Sequence, residues 1–316
     1  AFDKLIDPMA SGVFAGDASR LSLKSCFPRI HEIEDEYHSL IRGLISLQKK
    51  ARREGKKDTP GPGPGGILTS FGNGMGELTD ALAEQLGSRI HTGTPVSGLD
   101  RNGNRYSLQF EDGSVQESDV LILAAPAHAQ ARILQGYDPS LASLLNGIPY
   151  PALSVVCFGY RKERVGNVLD GFGFLVPSKE QRAVLGTIID SNVFTGRAPD
   201  DSVLLRSMVG GARSPELALL PDEQLVDRVR SDLQDILGVK VIPDFVRIFR
   251  HEKAIPQYNV GHARMLESID THLEPHPGLI LTGNAFKGVS LNDCVVNAWQ
   301  TAQALVPQSG HKKIKG

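Results

Sequence analysis

A chain of 316 residues, 41% hydrophobic and 22% charged, is long enough to bury a sizeable core in about two domains. Its formal charge of −2, with basic residues scattered, argues against nucleic acid as the main partner. Cys26, Cys157 and Cys294 are far apart and odd in number, which suggests neither a disulfide framework nor a zinc site and fits a reducing compartment. No run approaches the roughly 18 apolar residues of a spanning helix, and the opening Ala1 to Pro8 reads as the middle of something larger.

From Ser25 to Arg53, Ile30, Ile33, Tyr37, Leu40, Ile41, Leu44 and Leu47 recur three and four apart, which predicts one long amphipathic helix. Its apolar stripe reads as a bundle-packing face with a solvated basic end from Lys49 onward; docking on an anionic bilayer is the other reading. Alternating proline and glycine from Thr59 to Gly66 marks a linker. Met75, Leu78, Leu82 and Leu86 then form a helical stripe closed by Gly87, and Arg89 to Val96 reads as a strand. Tyr106, Leu108 and Phe110 alternate before an Asp112-Gly113 turn, a hairpin pattern. Asp119 to Ala124 is a continuous apolar run that suits a central strand buried on both faces.

Four strand patterns follow between Leu153 and Gly211, which imply an antiparallel sheet. A helix with Pro221 in its first turn turns Leu225, Val229, Leu233 and Ile236 inward and ends at Gly238. A last strand, Phe245 to Phe249, leads to Ile255-Pro-Gln-Tyr-Asn-Val-Gly-His262. The order is helix, αβ piece, antiparallel sheet, αβ piece, so the αβ layer is split by an insertion.

The final αβ piece carries most information. Leu279 to Leu281 are apolar on both faces, Gly283 and Gly288 allow close backbone approach, and Val295, Val296, Trp299, Ala302 and Leu305 recur at helical spacing. A helix starting near Leu291 would aim free N–H groups at an anion, with Asn284, Asn292 and Asp293 beside it. A plain packing turn fits the same residues. The spacing of Gly283 and Gly288 matches a P-loop, but Val289 stands where that motif needs lysine. His272 and His276 are four apart, yet Pro275 between them prevents a shared helical face, so no metal pair is expected. There is no Gly-x-Ser-x-Gly elbow for a hydrolase. Tyr258 and His262 read as satisfied buried polar residues, and no residue stands out as a catalytic acid or base.

From Asp7 to about Leu305 the chain resembles the protoporphyrinogen oxidase family of flavoenzymes, within the wider flavin amine-oxidase group. The landmarks are Gly12-Val-Phe-Ala-Gly16, Ser25-Cys-Phe-Pro28, Gly171-Phe-Gly-Phe-Leu-Val-Pro-Ser178, Asp190-Ser191, Met208-Val-Gly-Gly211, Ile255-Pro-Gln-Tyr258, Gly261-His262 and Gly288-Val-Ser-Leu-Asn-Asp-Cys294. The resemblance implies a mixed α/β and α+β fold: a split FAD-binding dinucleotide-type domain with an inserted antiparallel-sheet substrate domain and a helical segment. On that pattern residues 1–60 end a helical domain of membrane-binding type and 61–140 form the middle FAD segment. Residues 141–254 bind substrate, 255–306 close the FAD domain and 307–316 are a tail. Family members open with a strand-turn-helix bearing Gly-x-Gly-x-x-Gly, which this chain lacks, so by itself it is expected to bind FAD weakly or not at all.

Residue by residue, the resemblance implies that Val96, Gly283, Asn284, Gly288, Val289 and Asn292 contact FAD, and that Gly171, Phe172, Gly173, Phe174, Leu175 and Met208 bind substrate. The implied reaction is oxidation of protoporphyrinogen IX or coproporphyrinogen III to the porphyrin in haem biosynthesis, the flavin taking a hydride and oxygen reoxidising it. Implied partners are the porphyrinogen, molecular oxygen, a peripheral membrane contact and a second copy in a homodimer. The implied location is cytoplasmic, at the inner membrane face. Other flavin amine-oxidase-like oxidoreductases, and a non-catalytic tetrapyrrole-binding fragment, are the competing readings.

Overall fold

The computed structural model describes residues 2–53 and 68–306; the linker at 59–66 and the basic tail lie outside them. Helix α1 (Asp7–Phe14) starts with Pro8, whose missing N–H is harmless in a first turn, and stops at Ala15 in left-handed backbone. The single helix expected over 25–53 is instead a hairpin of α2 (Pro28–Tyr37) and α3 (Leu40–Arg53), preceded by one short turn (Leu23–Cys26). His38 turns the chain at φ 51°, and the Ser39 hydroxyl accepts from the Arg42 amide to open α3. A Cβ at Gly43 would lie 2.2 Å from the Ile33 side chain and 3.1 Å from Tyr37, so glycine is what lets the two helices close on each other.

Helix α4 (Gly76–Leu86) ends at Gly87, as its sequence implies. The strand expected from Arg89 begins only at Val96, because residues 87–89 wind into a short 3-10 turn. Strands β1 (Val96–Asn102), β2 (Arg105–Phe110) and β3 (Val115–Ser118) form an antiparallel meander, with Gly113 at φ 81° in its second turn. Next come β4 (Leu121–Leu123), α5 (Ala127–Leu134) and α6 (Pro139–Asn146), the last capped by the Asp138 carboxylate accepting from Leu141. Strands β5 (Leu153–Arg161), β6 (Gly173–Leu175), β7 (Val184–Ile189) and β8 (Ser202–Gly210) lead to α7 (Asp222–Leu237) and β9 (Phe245–His251). Helix α8 (His262–Leu273), β10 (Leu279–Leu281) and α9 (Leu291–Leu305) complete the chain.

These elements form two compact units. Ala1–Thr92 with Pro151–Ala254 make the first, and Gly93–Tyr150 with Ile255–Gly316 the second, so α4 groups with the insertion. In the first unit the strands run β6-β7-β8-β5-β9, antiparallel throughout. Alternation puts Val156, Phe158 and Tyr160 of β5 and Leu205 and Val209 of β8 on one face, where Leu225, Val229 and Leu233 of α7 cover them. Each such side chain, fully buried, contributes about 1.5–3 kcal/mol. The other face takes α1 at one end: Asp7, buried, pairs with Arg213 and accepts from the Ser178 amide at 2.9 Å. A Cβ at Gly12 would lie 2.5 Å from the Leu175 side chain.

In the second unit β4 and β10 pair in parallel, Leu121 opposite Leu279 and Leu123 opposite Leu281. Leu121 and Leu123 join Ala127, Ala131 and Leu134 of α5 in the core. The expectation that β4 is buried on both faces is not met: Ile122, between them, is 44% exposed, because the described residues cover one face of this pair and not the other.

Candidate functional site

The parallel strands β4 and β10 end side by side, and the chain leaves β10 through Thr282 and Gly283, the latter at φ 119°, where a Cβ would lie 3.3 Å from the Ala124 carbonyl oxygen. In open parallel sheets this carboxyl end is where ligands bind. The Gln130 amide, fully buried on α5, donates to the Ala125 carbonyl at 2.6 Å and the Thr282 carbonyl at 2.9 Å, tying the two strand ends together. Tyr258 donates its hydroxyl to the Asn284 carbonyl at 2.5 Å, and Asn297 of α9 donates to the Lys287 carbonyl. The Phe286 amide turns back to the Gly283 carbonyl at 3.3 Å. A cavity of about 410 Å³ opens beside the loop, lined by Leu281, Gly283, Phe286 and Lys287 with Asn297 and Thr301 of α9.

Helix α9 starts with a capping box. The Ser290 hydroxyl accepts from the Asp293 amide at 3.1 Å, and the Asp293 carboxylate accepts from the Ser290 hydroxyl and amide. Sequence reasoning offered this helix start to an external anion, but the Asp293 carboxylate already occupies the position that the dipole favours. Gly288, at φ 75°, is required by that cap, since a Cβ on it would stand 2.3 Å from the Asp293 carboxyl carbon. Val289 and Asn292 flank the cap. Val96 opens β1, where it pairs with Phe110, and no hydrogen bond joins it to the 282–289 loop among the described residues.

Tyr258 and His262 stack with ring centroids 4.2 Å apart and planes 12° apart, both buried. Burial pushes the His262 imidazole down to about 4, so it is neutral at ordinary pH, and it lies against the backbone of Ala285 and Phe286. The two histidines read as non-metal residues have other partners: His272 Nδ1 bonds the Ser268 carbonyl at 2.8 Å, and His276 sits between Tyr137 (2.8 Å) and Asp138 (3.1 Å).

The substrate residues implied by the sequence lie in the first unit. Register places Phe249, Val155, Met208, Gly186 and Leu175 in one row across the open face, and Arg247, Cys157, Arg206, Ile188 and Gly173 in the next. Gly173 and Leu175 therefore share a face with Met208. Phe174 does not: it points the other way and packs on the core under α7, as strand alternation requires. Phe172 is 55% exposed just before β6, and Asn192 donates to the Gly171 carbonyl at 3.0 Å. Arg206, Arg247 and Phe249 were not singled out from sequence, although counting in twos from Met208 and Phe245 places them on this face. Arg206 pairs with Asp190 at 2.9 Å, while the Arg247 guanidinium lies 5.6 Å from the Phe249 ring centroid. Burial raises the Cys157 thiol between them despite the Arg206 charge, so it stays protonated and inert.

A split αβ unit with a glycine loop at its strand ends, together with a separate antiparallel sheet, fits a dinucleotide-binding protein with an inserted domain. The chain belongs to the flavin containing amine oxidoreductase family, whose model matches residues 1–306. It is 32% identical over 327 residues to protoporphyrinogen oxidase 1, chloroplastic, of Arabidopsis thaliana, with 95% of this chain and 59% of that protein covered. It is 29% identical over 295 residues to coproporphyrinogen III oxidase of Bacillus subtilis, with 93% and 62% covered. The chain thus spans about three fifths of the length of these curated relatives. A crystal structure from Exiguobacterium sp. 255-15, described as a candidate protoporphyrinogen oxidase, superposes with TM-score 0.80 at 26% identity, covering 96% of this chain and 63% of the other. Reduced UDP-galactopyranose mutase, at 17% identity and TM-score 0.60 over 88% of this chain and 57% of its own, shares the fold.

The family's cofactor is FAD, and the residues at the strand ends fit it. Gly283 and Gly288 hold left-handed backbone in the loop, and the carbonyls of Thr282, Gly283, Asn284 and Lys287 are engaged by protein, which leaves amide donors for an acceptor-rich ligand.

Proposed function

We propose that the protein oxidises a porphyrinogen, protoporphyrinogen IX or coproporphyrinogen III, to the corresponding porphyrin, with FAD as cofactor and oxygen as final acceptor. The observation that carries this reading is the similarity, over more than nine tenths of the chain, to a protoporphyrinogen oxidase from a plant and a coproporphyrinogen III oxidase from a bacterium. When bound, FAD would supply two-electron redox chemistry, with oxygen as the final acceptor.

The chain's own residues then bind and orient. Gly283, Asn284, Gly288 and Val289 would hold the cofactor through backbone, and Val96 and Asn292 complete the proposed set. On the sheet, Leu175, Met208, Val155 and Phe249 offer an apolar wall suited to a flat macrocycle, with Phe172 exposed beside it. No side chain is assigned a proton transfer, because His262 is neutral and enclosed and Cys157 stays protonated. Orientation of substrate against cofactor is the protein's contribution.

Peripheral contact with the inner face of a membrane belongs to the same proposal. It is supported by α3, which exposes Ile41 (71%), Leu44 (53%) and Ile45 (49%) next to Arg42, Lys49 and Lys50. Among the described residues no helix is long and apolar enough to cross a membrane.

The test is to supply FAD and each porphyrinogen in air and follow porphyrin fluorescence and peroxide, with simple amines as the contrasting substrates. Porphyrin and peroxide formed above the spontaneous rate supports the reading. Amine oxidation without porphyrin formation would reject it.

A further inference from the structure

The hydrogen-bonding groups of the 282–289 loop are divided by type. Four of its carbonyls are held by protein: Thr282 accepts from Gln130, Gly283 from the Phe286 amide, Asn284 from Tyr258 and Lys287 from Asn297. The amides of Gly283, Asn284, Gly288 and Val289 have no partner among the described residues. Three of the four carbonyl partners are side chains, and they come from three separate elements: α5, the segment before α8, and α9. Two of these side chains are themselves locked. Gln130 is fully buried and bridges both strand ends, and Tyr258, 2% exposed, is stacked flat on His262. Packing of this kind exceeds what a surface turn needs, since a solvated turn leaves its carbonyls to water.

We propose that Gln130, Tyr258 and Asn297 are positioning residues that hold the carbonyls of Thr282, Asn284 and Lys287 away from the cofactor, so that these peptide units turn their N–H donors toward the flavin. The inference rests on the cofactor reading above and extends it to residues that do not themselves touch the ligand. Its physical basis is that the polar edge of an isoalloxazine ring and the phosphate oxygens are mostly acceptors. A peptide unit that flips replaces a donor with a carbonyl and turns attraction into repulsion. Gly283 and Gly288, in left-handed backbone, have the freedom to flip, so something must fix them. The three side chains do so by occupying the carbonyls. His262 acts one step further out, by setting the plane of the Tyr258 ring.

The experiment is an amide chemical-shift titration of the 316-residue protein with flavin mononucleotide, which carries the ring and one phosphate. It is run at a temperature where every variant is folded by circular dichroism. Wild type is compared with Tyr258→Phe, Asn297→Leu and a control, Tyr106→Phe. The control also deletes one hydroxyl-to-carbonyl bond, Tyr106 to Pro277 at 2.9 Å, but before β10 and away from the loop. The expected result is that the amides of Gly283, Asn284, Gly288 and Val289 shift in wild type. Both loop variants should weaken the ligand by roughly fivefold or more, the equivalent of one net hydrogen bond. The control should lower the melting temperature with less than about a twofold change in affinity. Wild-type shifts at these amides with unchanged affinity in both loop variants would overturn the positioning role and leave the cofactor reading standing. Ligand binding in wild type that shifts amides elsewhere in the protein and none of these four would overturn both.

Discussion

The five-stranded sheet and the parallel pair of β4 and β10 differ in how their apolar residues are used. In the first unit α7 covers a five-stranded antiparallel sheet, and Leu205, Leu225, Val229 and Leu233 are fully buried. In the second unit a three-residue parallel pair has one covered face, and α9 exposes Leu291 (45%), Val295 (55%) and Trp299 (64%). The antiparallel sheet closes its core with its own helix, whereas parallel pairing is stable only with both faces covered. Apolar composition in α9 is therefore no measure of what that helix contributes to folding. Stability should reside in the first core, and cofactor binding should reside in the loop between β10 and α9.

The sharpest way to break this comparison is a pair of truncations. Leu233→Ala should cost about 2–5 kcal/mol in chemical denaturation, and Trp299→Ala no more than about 0.5 kcal/mol; equal costs would refute the contrast.

Next in size is the pH dependence of the loop support. The folded His262 titrates at about 4 against an ordinary 6.5, so between these values the unfolded chain binds more protons. Stability is therefore full above about pH 6.5, falls as pH drops toward 4, and levels off below it, with a total of about 3 kcal/mol. His262→Gln should remove this dependence, which a denaturation series across that range reads directly.

Asp232→Ala should cost about 2 kcal/mol, because the buried carboxylate accepts from the Ala183 and Val184 amides at 2.8 and 3.0 Å and both would lose their partner. Ser290→Ala removes half of the α9 capping box and should cost about 1 kcal/mol. A loss of several kcal/mol there would mean that α9 carries more of the second unit's stability than its exposure indicates.

Local chemistry was legible in the sequence. The Asp112-Gly113 turn, the Gly87 and Gly238 stops, the α7 stripe of Leu225, Val229 and Leu233 and the strand-glycine-helix at 279–305 follow from periodicity and turn residues, each decided by neighbours a few positions away, whereas Ile236, expected inward at the end of that stripe, is 38% exposed in the last turn of α7. What stayed hidden depends on distant partners. The break at His38 needs Gly43 to be seen packing on Ile33. The exposure of Ile122 depends on what covers β4, which its own apolar run does not reveal. The self-capping of α9 is written in the Ser290-x-x-Asp293 spacing of a capping box, which fills the helix start that Gly283 and Gly288 otherwise offer to an anion. Of the substrate set, Phe174 was placed by motif where alternation alone assigns it to the core. Gln130 and Asn297 carry no sequence signal, since each matters only through a carbonyl brought to it by folding.

The central claim, that a flavin held by this chain takes electrons from a porphyrinogen, is tested most directly under nitrogen. FAD bound to the protein is mixed with a porphyrinogen, and the visible spectra of flavin and porphyrin are followed together. The account predicts loss of flavin colour in step with the rise of porphyrin, and recovery of the colour when air is admitted. An unchanged flavin spectrum, with FAD shown to be bound, would contradict it.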